Sequence, residues 1–266
     1  MRTGMDISTE KNGSARAGRA ESASGQKPLE DFIYLISHDL RNSVRALTEL
    51  PLWIKEDLEK SGVQVPGPVD EHIAMMTQQT RRIDRMMIDL LIYSRVGRMQ
   101  EVEQVALDGA LDAVLSDVRV PSGFTLERRL DCPQIEIGNR DIMTLLTALV
   151  SNAVKHCDHD GGKITVGSRD LGDSIEISVT DEGPGIPVKF RETVFEPMKT
   201  LRPRDEVEGS GMGLASVRKI AEFYGGEVDL QFLQGERGTA IRVTLPKNGT
   251  LHSLHSEGAA SMSLSA

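Results

Sequence analysis

The sequence contains only two cysteines, Cys132 and Cys157, among its 266 residues. They lie 25 residues apart and form no Cys-x-x-Cys pair, and neither shows the paired ligand spacing that is typical of a structural zinc site. Neither a disulfide framework nor a structural zinc site is therefore indicated, and a reducing compartment is expected.

An excess of positive charge is also lacking. Lys and Arg number 31 against 40 Asp and Glu, so the formal net charge is -9 and the isoelectric point is about 5.3. This balance disfavours a nucleic-acid backbone or an anionic membrane as the main partner, because both are negatively charged. Any chemistry on phosphate groups must use local positive charge.

Long apolar runs are absent as well. No stretch approaches the roughly 18 consecutive apolar residues of a membrane span, and no apolar segment follows the charges near the N-terminus. We therefore expect no membrane insertion and a cytoplasmic location. Apolar residues still make up 39% of the chain, as in ordinary soluble proteins, so a folded core is expected.

Composition divides the chain into four parts. Residues 1–27 and 248–266 are rich in small and polar residues without periodicity, which predicts flexible tails. Between them, residues 28–98 carry a helical pattern, and residues 99–247 mix strand-like and helix-like segments. We expect two folded domains with these boundaries.

The first domain is predicted to be a helical hairpin. Apolar residues recur with a 4-3 spacing over 29–58 and again over 69–90, and the turn-rich segment 61–68 separates the two runs. Two such narrow apolar stripes are best buried by dimerisation into a four-helix bundle, which predicts a homodimer. From the spacing alone, a coiled-coil spacer is an equal alternative.

The second domain is predicted to be an α/β sandwich, a mixed sheet with helices on one face. Its expected helices and strands follow from apolar periodicity and do not alternate as regular βαβ units. The helices are 107–118, 141–157 and 212–224, and the strands are 124–130, 135–138, 163–168, 174–180, 227–233 and 239–245.

Four groups of residues carry chemistry. His38 lies off the apolar stripe, where a neutral ring nitrogen is a nucleophile toward phosphorus and Asp39 can orient the ring. A lone surface histidine, however, usually has no function. Asn152, Lys155 and His156 lie within five residues on a predicted apolar helix. The amide oxygen of Asn152 is a suitable ligand for Mg²⁺. The alternative is an ordinary buried asparagine that bonds to the backbone.

The other two groups are rich in glycine. Asp181 ends a strand and is followed by Gly183 and Gly185, so its carboxylate can accept a hydrogen bond from the adenine amine while the ring approaches the backbone. The segment 209–214, Gly-Ser-Gly-Met-Gly-Leu, precedes a helix and offers a phosphate cradle. Taken separately, an acidic turn and a Gly-x-Gly-x-Gly segment are weak signals.

Together and in this order, these motifs resemble those of bacterial two-component sensor histidine kinases. Residues 32–42 are similar to the H box of that family and residues 151–156 to its N box. The other similar segments are 181–186 for the G1 box, 194–198 for the F box and 209–214 for the G2 box. The resemblance implies a dimerisation and histidine-phosphotransfer hairpin joined to an ATP-binding domain of the gyrase, Hsp90, kinase and MutL type.

The resemblance also implies roles for individual residues. His38 would accept the phosphoryl group, Asp39 would be its acid/base neighbour, and Asn42 would position water for dephosphorylation of the partner. Asn152 would bind Mg²⁺, and residues 198–208 would form a mobile lid with Arg202 and Arg204. The remaining nucleotide contacts would be Lys155 and His156 near the phosphates, Asp181, Gly183 and Gly185 near adenine, and Gly209, Gly211, Gly213 and Leu214 at the end of the lid.

Two positions depart from the family pattern. Ser43 replaces the usual proline five residues after the histidine, and Ala148 replaces a second asparagine of the N box. A bend beside His38 is therefore not assured, and binding of the metal or the phosphates is expected to be weaker than is usual in the family.

The function implied is that of an ATP-dependent protein histidine kinase that uses Mg²⁺. It would autophosphorylate His38, pass the phosphoryl group to an aspartate in a response regulator receiver domain, and also dephosphorylate that regulator, with its input from a separate sensory protein. A non-enzymatic phosphotransfer or scaffold dimer with a degenerate ATP domain is the alternative, which Ala148 keeps open. A serine kinase of the anti-sigma type would not need a histidine on a dimer hairpin.

Overall fold

The computed structural model describes residues 36, 40, 43–63, 67–98, 100–202, 209–231 and 237–247. The chain divides into two compact units, and the division lies between Ser94 and Arg95. The predicted tails lie outside the described residues, and the boundaries between the four predicted parts of the chain stay predictions.

The first unit contains two long helices. The described residues 43–60 form helix α1, and helix α2 covers Gly67–Arg95. Lys55 on α1 and Asp70 on α2 form an ion pair with 2.5 Å between Nζ and Oδ1. The predicted helical hairpin is thus present. In the described part of the chain, no helix combines the length and apolar content needed to cross a bilayer.

Most of the predicted apolar stripe on these helices is exposed. Ile73 and Met87 are buried, and the hydroxyl of buried Thr77 bonds to the backbone oxygen of Ile73 at 2.9 Å. The exposed members of the stripe are Ile36, Leu40, Leu47, Leu50, Ile54, Val69, Met76 and Ile83. In the described part of the chain, eight large apolar side chains of the stripe are therefore exposed, and large exposed apolar surfaces are unusual for a monomer.

The second unit is built on a five-stranded mixed sheet in the order β2-β4-β5-β7-β6. Only β2 and β4 are parallel, and every other neighbouring pair is antiparallel. The strands are β2 (Phe124–Leu130), β4 (Gly162–Asp170), β5 (Ser174–Asp181), β6 (Glu227–Gln231) and β7 (Thr239–Pro246).

Helices α3 (Leu107–Asp117), α4 (Asn139–Lys155) and α5 (Gly213–Phe223) cover this sheet, with α4 in contact with both other helices and with β5. On β5, buried Ile177 and Val179 alternate with the less buried Ser178 and Thr180, as expected when one face meets the core. The predicted mixed sheet with covering helices is confirmed.

A second, two-stranded antiparallel sheet pairs β1 (Val102–Ala106) with β3 (Gln134–Gly138). Sequence periodicity missed β1 because its two valines, Val102 and Val105, stand three residues apart, whereas a half-buried strand repeats every two. This strand forms because it pairs with β3, which lies about 30 residues later in the chain and so leaves no signal in the local sequence. The predicted helix 141–157 also differs slightly, since α4 begins at Asn139 and ends at Lys155.

A buried hydrogen-bond network joins the start of α4 to the end of α5. Asp141 is only 2% exposed, and its Oδ2 accepts bonds from the Tyr224 hydroxyl at 2.9 Å and from Gly97 N at 3.0 Å. The same hydroxyl accepts a bond from Gly138 N at 3.0 Å. Burial raises the pKa of Asp141 against the opposing effect of these bonds, so this carboxyl favours folding at acidic pH and loses that contribution as pH rises through its folded-state pKa.

Replacing Tyr224 tests the energetic weight of this network. Tyr224→Phe removes the hydroxyl and leaves a buried carboxylate oxygen and a buried N–H each short of a partner, so the free energy of unfolding should fall by about 1 to 3 kcal/mol. Urea denaturation followed by circular dichroism measures it.

Thr144→Val is the matched control, because this hydroxyl on α4 bonds to the Arg140 carbonyl in an exposed position. Its effect should stay within about 0.5 kcal/mol. Equal losses in the two variants would contradict a special role for the buried network.

Candidate functional site

A cavity of about 420 Å³ lies in the second unit, between α4, the ends of β5 and β7, and the segment leading into α5. Its walls combine apolar side chains with a small number of polar and charged groups, as ligand pockets do. The position follows from the sheet order, because β5 and β7 are adjacent and α4 crosses beside β5.

Eight of the ten residues predicted to contact a nucleotide line this cavity. They are Asn152, Lys155, His156, Asp181, Gly185, Gly209, Gly211 and Leu214. The other two, Gly183 and Gly213, do not line it, although their neighbours Pro184 and Leu214 do. Arg202 lines the cavity too, whereas Arg204 and the rest of the predicted lid, 203–208, lie outside the described residues, as do His38, Asp39 and Asn42.

The carboxylate of Asp181 is held in a fixed orientation at the end of β5. Its Oδ1 accepts hydrogen bonds from Gly183 N at 2.9 Å and from Thr239 N at 3.2 Å. Within the described part of the chain, Oδ2 has no protein partner. One oxygen is thus occupied by backbone donors, and the other remains available to accept a hydrogen bond from a ligand in the cavity.

Burial raises the pKa of Asp181, and the two backbone donors partly counter that effect. A buried carboxylate is costly unless a bound group compensates its charge. Carboxyls with such perturbed pKa values in clefts are typical of functional sites. As pH falls through the raised pKa, Asp181 takes up a proton and loses acceptor capacity.

Two glycines are required where backbone segments meet around the cavity. A side chain on Gly238 would place its Cβ only 2.0 Å from the Asp181 carbonyl oxygen, and φ there is +118°. A side chain on Gly211 would approach the Lys199 carbonyl oxygen to 2.6 Å, and φ is +77°. At both positions, any other residue would clash with the neighbouring backbone and would have a strained backbone conformation.

Basic side chains line part of the cavity, although the chain as a whole is acidic. Lys155, Lys199 and Arg202 all line it. Burial lowers the pKa of His156, and the nearby charges of Arg202 and Lys155 lower it further, so this imidazole is neutral at pH 7. The side chains therefore present permanent cations beside a neutral ring, an arrangement that favours an anionic group such as phosphate.

The start of α5 forms another part of the wall. Gly211 and Leu214 line the cavity, and α5 begins at Gly213 without a side-chain cap. The first-turn N–H groups of a helix attract anions. Ala148 on α4 lies against this turn, since a Cβ on Gly213 would sit 3.6 Å from the Ala148 Cβ. Ala148, the residue that departs from the family pattern, thus lies where α4 contacts the first turn of α5.

Asn152 is the predicted Mg²⁺ ligand, and its surroundings fit that assignment. Its half-buried amide lines the same cavity as Lys155 and Arg202. An amide oxygen is a hard ligand, and Mg²⁺ usually takes one or two protein oxygens and completes its shell with water and phosphate oxygens. Asn152 would hold the ion, and the ion would neutralise charge on bound phosphates.

Several lining residues escaped the sequence analysis. Thr239 supplies an N–H to Asp181 and lines the wall on β7, and the only local signal for it is the preceding Gly238. Apolar members of the wall, such as Leu149, Val179 and Ile241, are indistinguishable in sequence from core residues. Their position beside the cavity depends on strand order.

Comparison with known families supports this description. Residues 138–249 match the family model described as histidine kinase-, DNA gyrase B-, and HSP90-like ATPase. The chain is 30% identical over 237 residues to the methanogenesis regulatory histidine kinase FilI of Methanothrix harundinacea (strain 6Ac), a match that covers 87% of this chain and 26% of that protein. The chain thus spans about a quarter of that relative's length.

Two solved structures share the fold. One is full-length ShkA in complex with AMPPNP, with a TM-score of 0.62 and 18% identity over 81% of this chain and 45% of the other. The other is the histidine kinase ThkA in complex with the response regulator TrrA, with a TM-score of 0.56 and 19% identity over 92% and 69% of the two chains. On the family match, residues 138–249 belong to the histidine kinase-, DNA gyrase B-, and HSP90-like ATPase family, and most of the chain is similar in sequence to histidine kinases.

Proposed function

We propose that this chain is an ATP-dependent protein histidine kinase that phosphorylates His38 and passes the phosphoryl group to an aspartate of a response regulator. The observation that carries the proposal is the cavity itself, which gathers a fixed carboxylate, an amide and several cations from motifs far apart in sequence. Adenine, Mg²⁺ and phosphate need these three kinds of group.

Binding of ATP would use the two ends of the cavity differently. The free oxygen of Asp181 accepts a hydrogen bond from the adenine amine, between apolar walls such as Ile241 and Val179. Lys155 and Arg202 neutralise phosphate oxygens, and the N-terminal turn of α5 adds backbone donors. Such positioning and charge neutralisation supply most of the catalysis in phosphoryl transfer.

The chemical step would proceed at His38. A neutral ring nitrogen attacks the γ-phosphorus, the new N–P bond forms, and the bond from the γ-phosphorus to the oxygen of the β-phosphate breaks, so ADP leaves. Asp39 accepts the proton released by the ring. In the second step, a carboxylate of the regulator attacks the same phosphorus, and His38 leaves. Asn42 would hold the water that later removes the phosphoryl group.

Two structural neighbours support the proposed ligand and partner, since ShkA was solved with AMPPNP and ThkA with the response regulator TrrA. A response regulator is accordingly the proposed protein partner. Dimerisation is proposed on the exposed apolar stripe of α1 and α2, which a second copy would cover.

The first test is phosphorylation. Incubation with γ-labelled ATP and Mg²⁺ should label the wild-type chain with a phosphoramidate, which survives alkali and is lost in acid. His38→Ala should lose at least roughly nine-tenths of the label, since the reacting nitrogen is removed.

His72→Ala is the control, because His72 is an exposed histidine on α2 that has no proposed role. Equal labelling of His38→Ala would contradict the assignment of the phosphoacceptor. A wild-type chain that binds ATP and stays unlabelled would favour the scaffold alternative, for which the structural argument is Ala148 on α4, beside the start of α5.

The second test concerns Asp181. Asp181→Asn can present a donor where the adenine amine needs an acceptor, so ATP affinity should fall roughly 10- to 100-fold. In the wild-type chain, affinity should also decline as pH falls through the raised pKa of Asp181. Isothermal titration calorimetry measures both effects.

Glu182→Gln is the matched control for that experiment. Glu182 is the next residue and its Oε2 accepts a bond from Lys163 N, but its side chain does not line the cavity. ATP affinity should remain within about twofold of wild type, as is usual for substitutions outside a binding site. Unchanged binding by Asp181→Asn would remove Asp181 from the site.

The third test concerns dimerisation. Light scattering should give twice the chain mass of 29.1 kDa for the wild type. Ile54→Glu places a charge in the apolar stripe and should shift the protein toward monomer, because a charge buried in an interface is costly.

Leu171→Glu is the control, since Leu171 is 47% exposed, close to the 49% of Ile54, but lies in the β4–β5 turn of the other unit. It should remain dimeric. A monomeric wild type at micromolar concentration would refute the proposed dimer.

A further inference from the structure

The loop that joins α4 to β4 carries an uninterrupted run of potential metal ligands from His156 to Asp160, in the order His-Cys-Asp-His-Asp. His156 lines the nucleotide cavity, whereas the next three residues point their donor atoms toward one another. The donor atoms of Cys157, Asp158 and His159 all lie within 4.8 Å of one another. No other such cluster occurs in the described part of the chain.

We propose that Cys157, Asp158 and His159 bind a borderline transition-metal ion of the Zn²⁺ class beside the nucleotide cavity. A thiolate, a carboxylate and an imidazole are the three donors that Zn²⁺ uses in proteins. At metal–ligand distances of roughly 2.0 to 2.3 Å, tetrahedral donors stand about 3.3 to 3.8 Å apart. The observed separations therefore need only small side-chain rotations.

The carboxylate of Asp158, the middle member of the cluster, contacts both Arg237 and His159. Arg237 Nη2 lies 2.5 Å from both carboxylate oxygens of Asp158, and His159 Nδ1 lies 2.9 Å from Oδ1. These contacts place the imidazole against the carboxylate before any ion arrives. Arg237 also neutralises the carboxylate, so an incoming cation must compete with the guanidinium for Asp158.

The backbone holds the loop at both ends, so the donors start from a defined arrangement. His156 N donates to the Asn152 carbonyl at 3.0 Å, and Gly162 N donates to the Gly123 carbonyl at 3.2 Å. Cys157 is half-buried with its Sγ 3.7 Å from the Gly161 carbonyl oxygen, while His159 is exposed. An ion can therefore enter from solvent without unfolding of the loop.

The site differs from a structural zinc site. Structural sites usually place their ligands two to four residues apart in pairs and close four protein ligands around the ion. Three consecutive donors with two exposed members leave at least one position open to water. The ion would exchange with solvent, and folding of the domain would not depend on it.

Titration of the full chain with Co²⁺ tests the site, because Co²⁺ replaces Zn²⁺ and reports thiolate ligation by a charge-transfer absorption in the near ultraviolet. The titration contains no nucleotide, so its outcome is independent of the proposed kinase function. We expect a saturable thiolate band with one Co²⁺ per chain, which an equivalent of Zn²⁺ abolishes.

Cys157→Ser should eliminate the thiolate band, and His159→Ala should weaken Co²⁺ binding at least tenfold. Cys132→Ser and His72→Ala are the matched controls: Cys132 is the other free cysteine, equally half-buried, and His72 is an exposed histidine of the other unit. Both should bind Co²⁺ as the wild type does. Circular dichroism confirms that each variant is folded.

Arg237→Met provides an independent test of Asp158 as a ligand. Removal of the competing guanidinium should tighten Co²⁺ binding several-fold, and unchanged affinity would contradict ligation by Asp158. The proposal as a whole is overturned if the wild type gives no thiolate band, or if Cys157→Ser retains the band.

Discussion

The packing of α4 against the sheet and its neighbouring helices is the constraint on which the rest of the second unit depends. Ile142, Leu145, Leu149 and Ala153 are buried along one face of this helix, which is about 25 Å long. Because that face is fixed, Asp141 is buried beside Tyr224 at one end. At the other end the same packing brings Asn152, Lys155 and His156 to the cavity. One apolar stripe thus positions both the network that ties α4 to α5 and the polar wall of the candidate site.

The cavity also depends on close contacts between backbones at its rim. Gly238 passes the carbonyl of Asp181, and Gly211 passes that of Lys199, at distances that exclude any side chain. The first contact lets Thr239 N reach Asp181 and so leaves one carboxylate oxygen for a ligand. The second places the segment before α5 against residues 198–199. These two glycines therefore determine the positions of backbone groups around the cavity. In the sequence, they are recognisable only as small residues.

Charge is distributed unevenly, and that distribution matters for phosphate chemistry. The chain is acidic overall, yet Lys155, Lys199 and Arg202 converge on one cavity. The outer face of the sheet has mixed charge, where Arg242 lies 3.6 Å from the nearly buried Glu176. A net charge of -9 therefore disfavours a large anionic surface as the main partner, but it is compatible with a small anionic ligand at a local cationic site.

The sequence by itself determined the helical hairpin and the mixed sheet with its covering helices, because apolar periodicity is a local property. It also predicted, from the order of the motifs, eight of the residues that line the cavity. It missed β1, whose two valines match no strand period until β3 pairs with them. It also missed Thr239 as a hydrogen-bond donor to Asp181. Only the tertiary structure decided these two points, because strand pairing and a shared carboxylate oxygen depend on contacts between segments that are distant in sequence.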